Sequence, residues 1–168
     1  MYQKSTEITL SNNQFPVIEA LDLAGKPVSL PNDCKGKPTL ISIAFVTEAQ
    51  YQIDTWAKPF MQQFVNDSTA HYYEIPMIDV KNRLYQNFID WGMRSSLPKS
   101  MHSKVMTYYG DFEFYCKALK MNDINKAYIF LLNENGNIIY RNEGFAQPEQ
   151  LKLLFTKIEN LLLKSYNL

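Results

Sequence analysis

The residues of this sequence that could carry out chemistry are few and widely spaced. Cys34 and Cys116 are the only cysteines, and His71 and His102 are the only histidines. Thiol–disulfide exchange needs a thiolate that attacks a disulfide sulfur, and a zinc or iron site needs three or four ligands that converge. No local motif in the sequence supplies either arrangement. We therefore predict no metal site and no cofactor, and we predict that the protein is not an enzyme.

One catalytic alternative stays open, a thiol-dependent oxidoreductase that uses Cys116 or Cys34. Each cysteine is followed by a lysine, Lys117 or Lys35, and a neighbouring cation lowers the pKa of a thiol. A free cysteine more often behaves as a small buried hydrophobe than as a nucleophile, so we favour two unreactive thiols.

The overall charge argues against nucleic-acid binding. The sequence has 17 Lys and Arg against 17 Asp and Glu, which gives a formal net charge of +0. Proteins that bind nucleic acids usually carry a basic excess that neutralises phosphates. The sequence also lacks an apolar run near the roughly 20 residues of a membrane helix, and its start, MYQKSTEITL, lacks the apolar core of a signal peptide. We expect no nucleic-acid partner, no transmembrane segment and a cytoplasmic location.

The first half of the chain predicts strands followed by a helix. Residues 15–30 indicate two short strands joined at Ala24-Gly25-Lys26, because glycine permits the backbone of a tight turn. Residues 39–46, TLISIAFV, form a continuous apolar run that is typical of a strand covered on both faces. Pro59 predicts a kink or a late start in the helix that follows. That helix is predicted from apolar residues at steps of three and four, namely Ile53, Trp56, Phe60 and Phe64.

The second half of the chain predicts a strand, a helical segment, a hairpin and a last helix. Residues 72–80, YYEIPMIDV, predict a strand in which Pro76 favours a sheet edge or a local irregularity. Residues 82–121 are predicted to be mainly helical. The run AYIFLLNENGNIIYRNEG predicts a hairpin that turns at Asn135-Gly136. Pro148 is predicted to open the last helix, because proline is favoured at the first helical position.

This order of elements predicts an α/β fold in one domain, residues 1–168. A right-handed βαβ unit followed by an antiparallel ββα unit gives a mixed central sheet with helices packed on it. An N-terminal β-hairpin precedes this arrangement, and a helical insert interrupts it at about 82–121.

Two stretches of the sequence resemble a known superfamily. FPVIEALDLAGKPVSLPNDCKGKPTLISIAF is similar to the start of peroxiredoxin-type and TlpA-type proteins, and YIFLLNENGNIIYRNEG resembles the last hairpin of the thioredoxin-like superfamily. This resemblance covers nearly the whole chain and implies a thioredoxin-like three-layer sandwich. The closest pattern within it is the mitochondrial ATP-synthase assembly factor family, through Trp56-x-x-Pro59-Phe60, YYEIP and MRSSLPKSMHSKVMTYYGD. That resemblance implies a chaperone-like role in assembly rather than an oxidoreductase.

The same resemblance implies where a redox site would lie, and this sequence lacks its residues. The C-x-x-C motif of redox members falls at Glu48-Ala49-Gln50-Tyr51, and no cysteine occurs between Cys34 and Cys116. The cis-proline of those members would fall at 125–127, where this sequence has no proline and where a non-proline cis bond would cost about 2.5–4 kcal/mol. We therefore predict a redox-inactive thioredoxin-like protein.

The predicted binding surface for a protein partner consists of the helical insert and the turn at 48–51, which we call the vestigial turn. Residues 93–121 hold four of the seven methionines together with several aromatic residues, which suit either adaptable recognition or core packing. Seven basic residues outnumber three acidic ones between Lys81 and Lys120, so an acidic partner or peripheral contact with an anionic membrane stays open. Glu48 to Asp54 could bind a small-molecule or peptide carboxylate at the helix start, or Thr47 and Glu48 could simply cap the helix, which we favour. The predicted binding residues are Glu48, Gln50, Tyr51, Trp56, His102, Tyr108 and Tyr109.

Overall fold

A short β-hairpin opens the part of the chain that the computed structural model describes, residues 13–65 and 68–166. β1 (Ile18–Leu21) pairs antiparallel with β2 (Pro27–Leu30). Gly25 lies in the turn with φ +87°, a conformation that side chains with a Cβ rarely adopt. The predicted hairpin and its turn are therefore confirmed.

The central sheet has five strands in the order β5-β4-β3-β6-β7. The strands are β3 (Thr39–Ala44), β4 (His71–Asp79), β5 (Tyr108–Gly110), β6 (Tyr128–Leu132) and β7 (Ile138–Glu143). The strands β3, β4 and β5 run parallel, whereas β6 and β7 complete the sheet with antiparallel pairing. β3 and β6 are almost wholly buried, as their continuous apolar runs predicted, because other elements cover both faces of the sheet.

The helical layer on one face of the sheet comes from both halves of the chain. A 3₁₀ turn (Thr47–Ala49) leads into α1 (Gln50–Phe60), and α5 (Pro148–Tyr166) ends the described chain. Pro59 lies in the last turn of α1, and a π-helical turn (Met61–Val65) follows it directly. The helix therefore does not start late; instead, its α-helical hydrogen bonding changes just after the proline, whose ring nitrogen cannot donate.

The opposite face of the sheet is covered by the N-terminal hairpin and by α4 (Glu113–Ala118). Phe15, Ile18 and Leu30 pack there against Phe130 and the neighbouring strands. On the first face, Ile53, Trp56 and Phe60 of α1 pack against Leu40 and Ile129 together with residues of α5. These two apolar clusters on a shared sheet make the predicted three-layer α/β sandwich.

The insert between β4 and β6 is mainly helical, as the sequence predicted, but it also contains a strand. It contains a 3₁₀ segment (Val80–Tyr85), α2 (Gln86–Ser96) and α3 (Lys99–His102), followed by β5 and α4. The prediction is wrong only at Tyr108–Gly110, because β5 pairs with β4 and becomes the edge strand.

Pro76 lies on β4, the strand next to the edge strand, rather than on the edge itself. The backbone N–H and carbonyl of Glu74 bond to Lys104 and Met106, in the segment before β5. Pro76, two residues later, faces the same side of β4 but has no N–H to donate. The ladder to β5 resumes only at Met77, opposite Tyr108. This gap is the local irregularity that the proline predicted.

Candidate functional site

The turn between β3 and α1 points its polar side chains at solvent or at one another. Thr47 and Glu48 are exposed, and neither the 3₁₀ turn nor α1 has a side-chain cap at its N-terminus. The predicted capping by Thr47 and Glu48 is therefore wrong, because the 3₁₀ turn satisfies the first backbone donors instead. Gln50 donates to the Asp54 carboxylate over 3.1 Å, and Tyr51 stands out from the surface.

A side-chain amide joins α1 to the loop that precedes β6. Gln52 Oε1 accepts from the Ala127 N–H at 2.9 Å, and Gln52 Nε2 donates to the Asn125 carbonyl at 3.0 Å. Among the described residues the only cis peptide bond is Leu30-Pro31, so the loop at 125–127 is trans. Gln52 thus fixes the loop at the place where the resemblance puts the cis-proline of redox members, because one amide supplies both a donor and an acceptor.

Trp56, a predicted binding residue, is fully buried and offers no surface to a partner. Its indole Nε1 donates to the Gly144 carbonyl over 2.7 Å, and its ring lies 6.3 Å from that of Tyr140. Nearby, Thr55 Oγ1 accepts from the Ala146 N–H at 2.9 Å. The role of Trp56 in this structure is to position the loop that leaves β7.

A buried carboxyl lies on β4 beneath α1. The Glu74 side chain is 7% exposed, and it accepts from the Tyr72 hydroxyl at 3.1 Å. Burial raises the pKa of Glu74, with a smaller contribution from the charge of Asp54, while hydrogen bonding from Tyr72 and Gln50 opposes the rise. No cation within the described ranges forms an ion pair with Glu74. Sequence pattern alone does not distinguish Glu74 from an ordinary strand residue, because its burial depends on the packing of α1 over β4.

Neither cysteine has the surroundings of a reactive thiol. Cys34 is buried and its Sγ lies 3.2 Å from the Pro31 carbonyl, and burial raises its pKa. Burial also raises the pKa of the half-buried Cys116, and the charges of Asp111 and Glu113 raise it further. Both thiols are free, and their raised pKa values leave little thiolate at neutral pH.

The three predicted binding residues of the insert are half-buried and tie its segments together. The Tyr109 hydroxyl donates to the Asp90 carboxylate of α2 over 2.7 Å, and burial and this carboxylate raise the pKa of Tyr109. His102 Nε2 lies 3.1 Å from the Leu97 carbonyl, at the junction of α2 and α3. The Tyr108 hydroxyl donates to the Asp111 carbonyl, and its ring packs edge-on against Tyr115. These contacts hold β5 against its neighbours.

The insert exposes a different set of large apolar side chains on and just before α2. Leu84 is 93% exposed, Tyr85 64%, Phe88 72% and Trp91 62%, and we call these four residues the α2 surface. The rings of Phe88 and Trp91 stack with centroids 6.2 Å apart. The other side of the helix faces inward, where Met93 accepts from the Thr107 hydroxyl. The spacing of Leu84, Phe88 and Trp91 marks one helix face in the sequence, but it does not show that nothing covers that face.

Basic residues lie in the same part of the insert as the α2 surface. Lys81, Arg83, Arg94 and Lys99 are all exposed. Two of them have partners: Lys81 Nζ lies 3.8 Å from the Asp79 carboxylate, and the Arg94 guanidinium donates to the Leu23 carbonyl over 3.2 Å. Arg83 and Lys99 form no ion pair with any acidic residue that the structure describes.

The described residues contain no group of three or more His, Cys, Asp or Glu side chains placed to hold a metal ion. Within those same residues, no helix is both long and apolar enough to cross a membrane.

Solved structures with a similar fold include both redox and assembly proteins. BsSco, a member of the Sco family of cytochrome c oxidase assembly proteins, is 14% identical with a TM-score of 0.63, and the match covers 91% of this chain and 95% of that one. A SCO1/SenC family lipoprotein from Bacillus anthracis is 11% identical with a TM-score of 0.61 over 90% and 96% of the two chains. A thiol:disulfide interchange protein from Chlorobium tepidum is 14% identical with a TM-score of 0.56 over 90% and 97%. At these identities the matches show a thioredoxin-like fold and nothing about activity.

No curated protein matches the chain in sequence. The sequence model of one family, described as ATP10 protein, does match it, from residue 11 to residue 161. Since that match spans most of the 168 residues, the chain belongs to the ATP10 protein family of ATP-synthase assembly factors.

Proposed function

We propose that this protein is a redox-inactive assembly factor that holds a protein partner on the α2 surface. The observation that carries the proposal is the exposure of Leu84, Tyr85, Phe88 and Trp91 side by side on one helical segment. Soluble proteins rarely expose contiguous large apolar side chains unless the patch binds something. Aromatic residues also dominate the binding energy of protein interfaces, because they bury much area for few frozen rotations.

The charge around the α2 surface restricts the chemistry of the partner. Arg83 and Lys99 are exposed in the same part of the insert and form no ion pair with a described acidic residue, whereas Lys81 pairs with Asp79. We infer a partner segment that places apolar side chains against Phe88 and Trp91 and acidic side chains near Arg83 and Lys99. Complementary charge of this kind speeds encounter and fixes orientation.

The vestigial turn is the second part of the proposed surface. β3, β4 and β5 are parallel, so the turn after β3 and the insert after β4 both begin at the carboxyl ends of the strands, on the same side of the sheet. The ring of Phe45 at the end of β3 lies 5.0 Å from the ring of Phe112 in the insert. Glu48, Gln50 and Tyr51 are exposed at this edge, where open α/β sheets generally bind their ligands. We keep these three as proposed partner contacts, with Tyr108, Tyr109 and His102 as residues that position the insert.

Redox inactivity is supported by the thiols themselves. A thiol–disulfide reaction by Cys34 or Cys116 requires a thiolate, and burial raises the pKa of both. The cysteine-free turn and the trans loop fixed by Gln52 support the same conclusion. The alternative, a relocated catalytic cysteine, requires one thiol to titrate well below its ordinary range.

Complementation tests the proposal in cells from which the gene for this chain is deleted. A double variant, Phe88→Ser with Trp91→Ser, should lower the amount of assembled ATP synthase toward that of the deletion, whereas the unfolding midpoint of the purified variant should stay close to wild type. A matched double variant, Leu21→Ser with Leu153→Ser, removes two apolar residues of similar exposure elsewhere and should restore assembly. Full assembly with the α2 double variant would contradict the proposal.

The cytoplasmic location stays a prediction, and the family's association with mitochondria makes it worth testing. Cell fractionation of a C-terminally tagged full chain would decide it.

A further inference from the structure

A polar cavity lies at the amino ends of β3 and β4, whereas the vestigial turn lies at the carboxyl end of β3. It has a volume of about 490 Å³ and opens where β4 begins, between the N-terminal hairpin and the residues that precede β3 and β5. Its wall includes His71, the first residue of β4, together with Lys37, Lys104 and Lys26. The proposed partner surface does not use these residues.

Three cationic or ionisable groups converge at one end of this cavity. Lys37, His71 and Lys104 are all half-buried. Lys37 Nζ donates to the Ser68 carbonyl over 2.6 Å, and no described carboxylate lies within ion-pair distance of Lys37, His71 or Lys104. Like charges held together in a partly desolvated site repel one another, and a bound anion would relieve that repulsion.

The acidic residues of the wall lie toward the other end of the cavity. Burial raises the pKa of Tyr73, two residues beyond His71 on β4, and the charges of Cys34, Asp33 and Asp22 raise it further. Asp22 Oδ1 accepts from the Lys26 N–H at 2.8 Å, and Asp33 Oδ2 accepts from the Ser29 N–H at 2.7 Å. By contrast, burial lowers the pKa of His71, and the charges of Lys37 and Lys104 lower it further. The end of the cavity around His71 is therefore positive.

We propose that this cavity binds a phosphate-bearing small anion, held by Lys37, Lys104 and the protonated imidazole of His71. A phosphate group accepts several hydrogen bonds at once and carries the charge needed to offset two lysines, which a single carboxylate does less well. Its binding is linked to protonation of His71: the bound anion raises the pKa of His71, and a lower pH tightens binding by the same coupling. Asp22, Lys26, Asp33 and Tyr73 also line this cavity, from the hairpin, the turn before β3 and β4 itself.

Proton NMR of the two histidines tests the proposal directly on the full chain. Inorganic phosphate, added at constant ionic strength with chloride as the reference salt, should raise the pKa of His71 by roughly half a unit or more. His102, which lies between α2 and α3, is the internal control and should not move. Lys37→Gln and Lys104→Gln should each reduce the phosphate effect, and the neighbouring exposed Lys35→Gln should leave it unchanged. Equal effects in all three variants, or no effect on His71 in the wild type, would overturn the proposal.

A second set of samples distinguishes two sources of the phosphate group, a soluble molecule and a lipid headgroup. Phosphatidylcholine vesicles with and without phosphatidic acid replace the free phosphate. A shift of His71 with phosphate but not with vesicles assigns a soluble ligand, and the reverse assigns a lipid headgroup. The double variant Phe88→Ser with Trp91→Ser should keep the response to free phosphate, so the cavity can be tested even if the proposed partner surface is wrong.

Discussion

The Gln52 side chain accepts a hydrogen bond from the Ala127 backbone at 2.9 Å and donates one to the Asn125 carbonyl at 3.0 Å. One amide therefore holds the helix after β3 against the loop before β6, and no other side chain of the described chain makes this pair of contacts. The loop thus keeps a trans backbone without help from a proline.

Replacement of Gln52 by Leu should destabilise the fold. The N–H of the buried Ala127 loses its partner, and an unsatisfied buried backbone group costs about 1–3 kcal/mol, whereas the exposed Asn125 carbonyl bonds to water instead. Urea denaturation of Gln52→Leu should show this loss of unfolding free energy. Gln62→Leu is the matched control, because Gln62 is an exposed glutamine, and it should change stability by less than about 0.5 kcal/mol. Equal stability of the two variants would show that the amide contacts are not formed.

Glu74 should make the protein less stable as the pH rises. Because burial raises its folded-state pKa above that of the unfolded chain, the folded protein binds its proton more tightly. The stabilisation from that proton is complete below the ordinary pKa of the carboxyl, and it is lost as the pH rises through the raised folded-state pKa. Glu74→Gln should therefore be more stable than wild type at pH 7, since its amide still accepts from Tyr72, and the difference should shrink toward pH 4. Glu48→Gln, at an exposed position, should show no such trend.

Tyr109 should control the mobility of α2. Tyr109→Phe removes the hydrogen bond to the Asp90 carboxylate, one of the contacts that attach α2 to β5. Amide hydrogen exchange in α2 should become faster, with a loss of overall stability of about 1 kcal/mol. Tyr108→Phe removes hydrogen bonds to the Asp111 carbonyl and to Tyr115, neither of which belongs to α2, so exchange in α2 should stay as in wild type. Unchanged exchange in Tyr109→Phe would mean that other contacts hold the helix.

Both thiols should react slowly with an alkylating reagent at neutral pH. Burial raises the pKa of each thiol, so the rates should rise only above the ordinary range near 8.5. Cys34, which is 1% exposed, should react more slowly than the half-buried Cys116. Mass spectrometry of the labelled peptides gives both rates in one sample. Fast, selective labelling of either cysteine near pH 6 would instead support the oxidoreductase alternative.

The sequence predicted the buried strands and helices better than the exposed surfaces. The apolar run of β3 and the three-and-four spacing of α1 correspond to buried faces, so local periodicity was enough to place them. β5 was missed because Tyr108–Gly110 is only three residues long and becomes a strand only by pairing with β4. Such pairing between distant segments leaves no periodic signal.

The candidate surfaces depend on what covers each side chain, which periodicity cannot report. Trp56 belongs to a helical stripe and is buried, whereas Trp91 belongs to a similar stripe and is exposed. Gln52 and Glu74 also gave no signal, since their partners lie far away in sequence or beneath another element. Only the packed structure separates a core stripe from a surface one.

The most direct test of the α2 surface is photo-crosslinking in cells that depend on this protein. A photoreactive phenylalanine derivative replaces Phe88, or Leu153 of α5, an exposed apolar position outside the α2 surface, as the control. We predict a discrete adduct from position 88 with a subunit or assembly intermediate of ATP synthase, identified by mass spectrometry, that does not form from position 153. If a functional protein labelled at Phe88 gives no adduct beyond that of the control, the α2 surface does not hold the partner and the central claim fails.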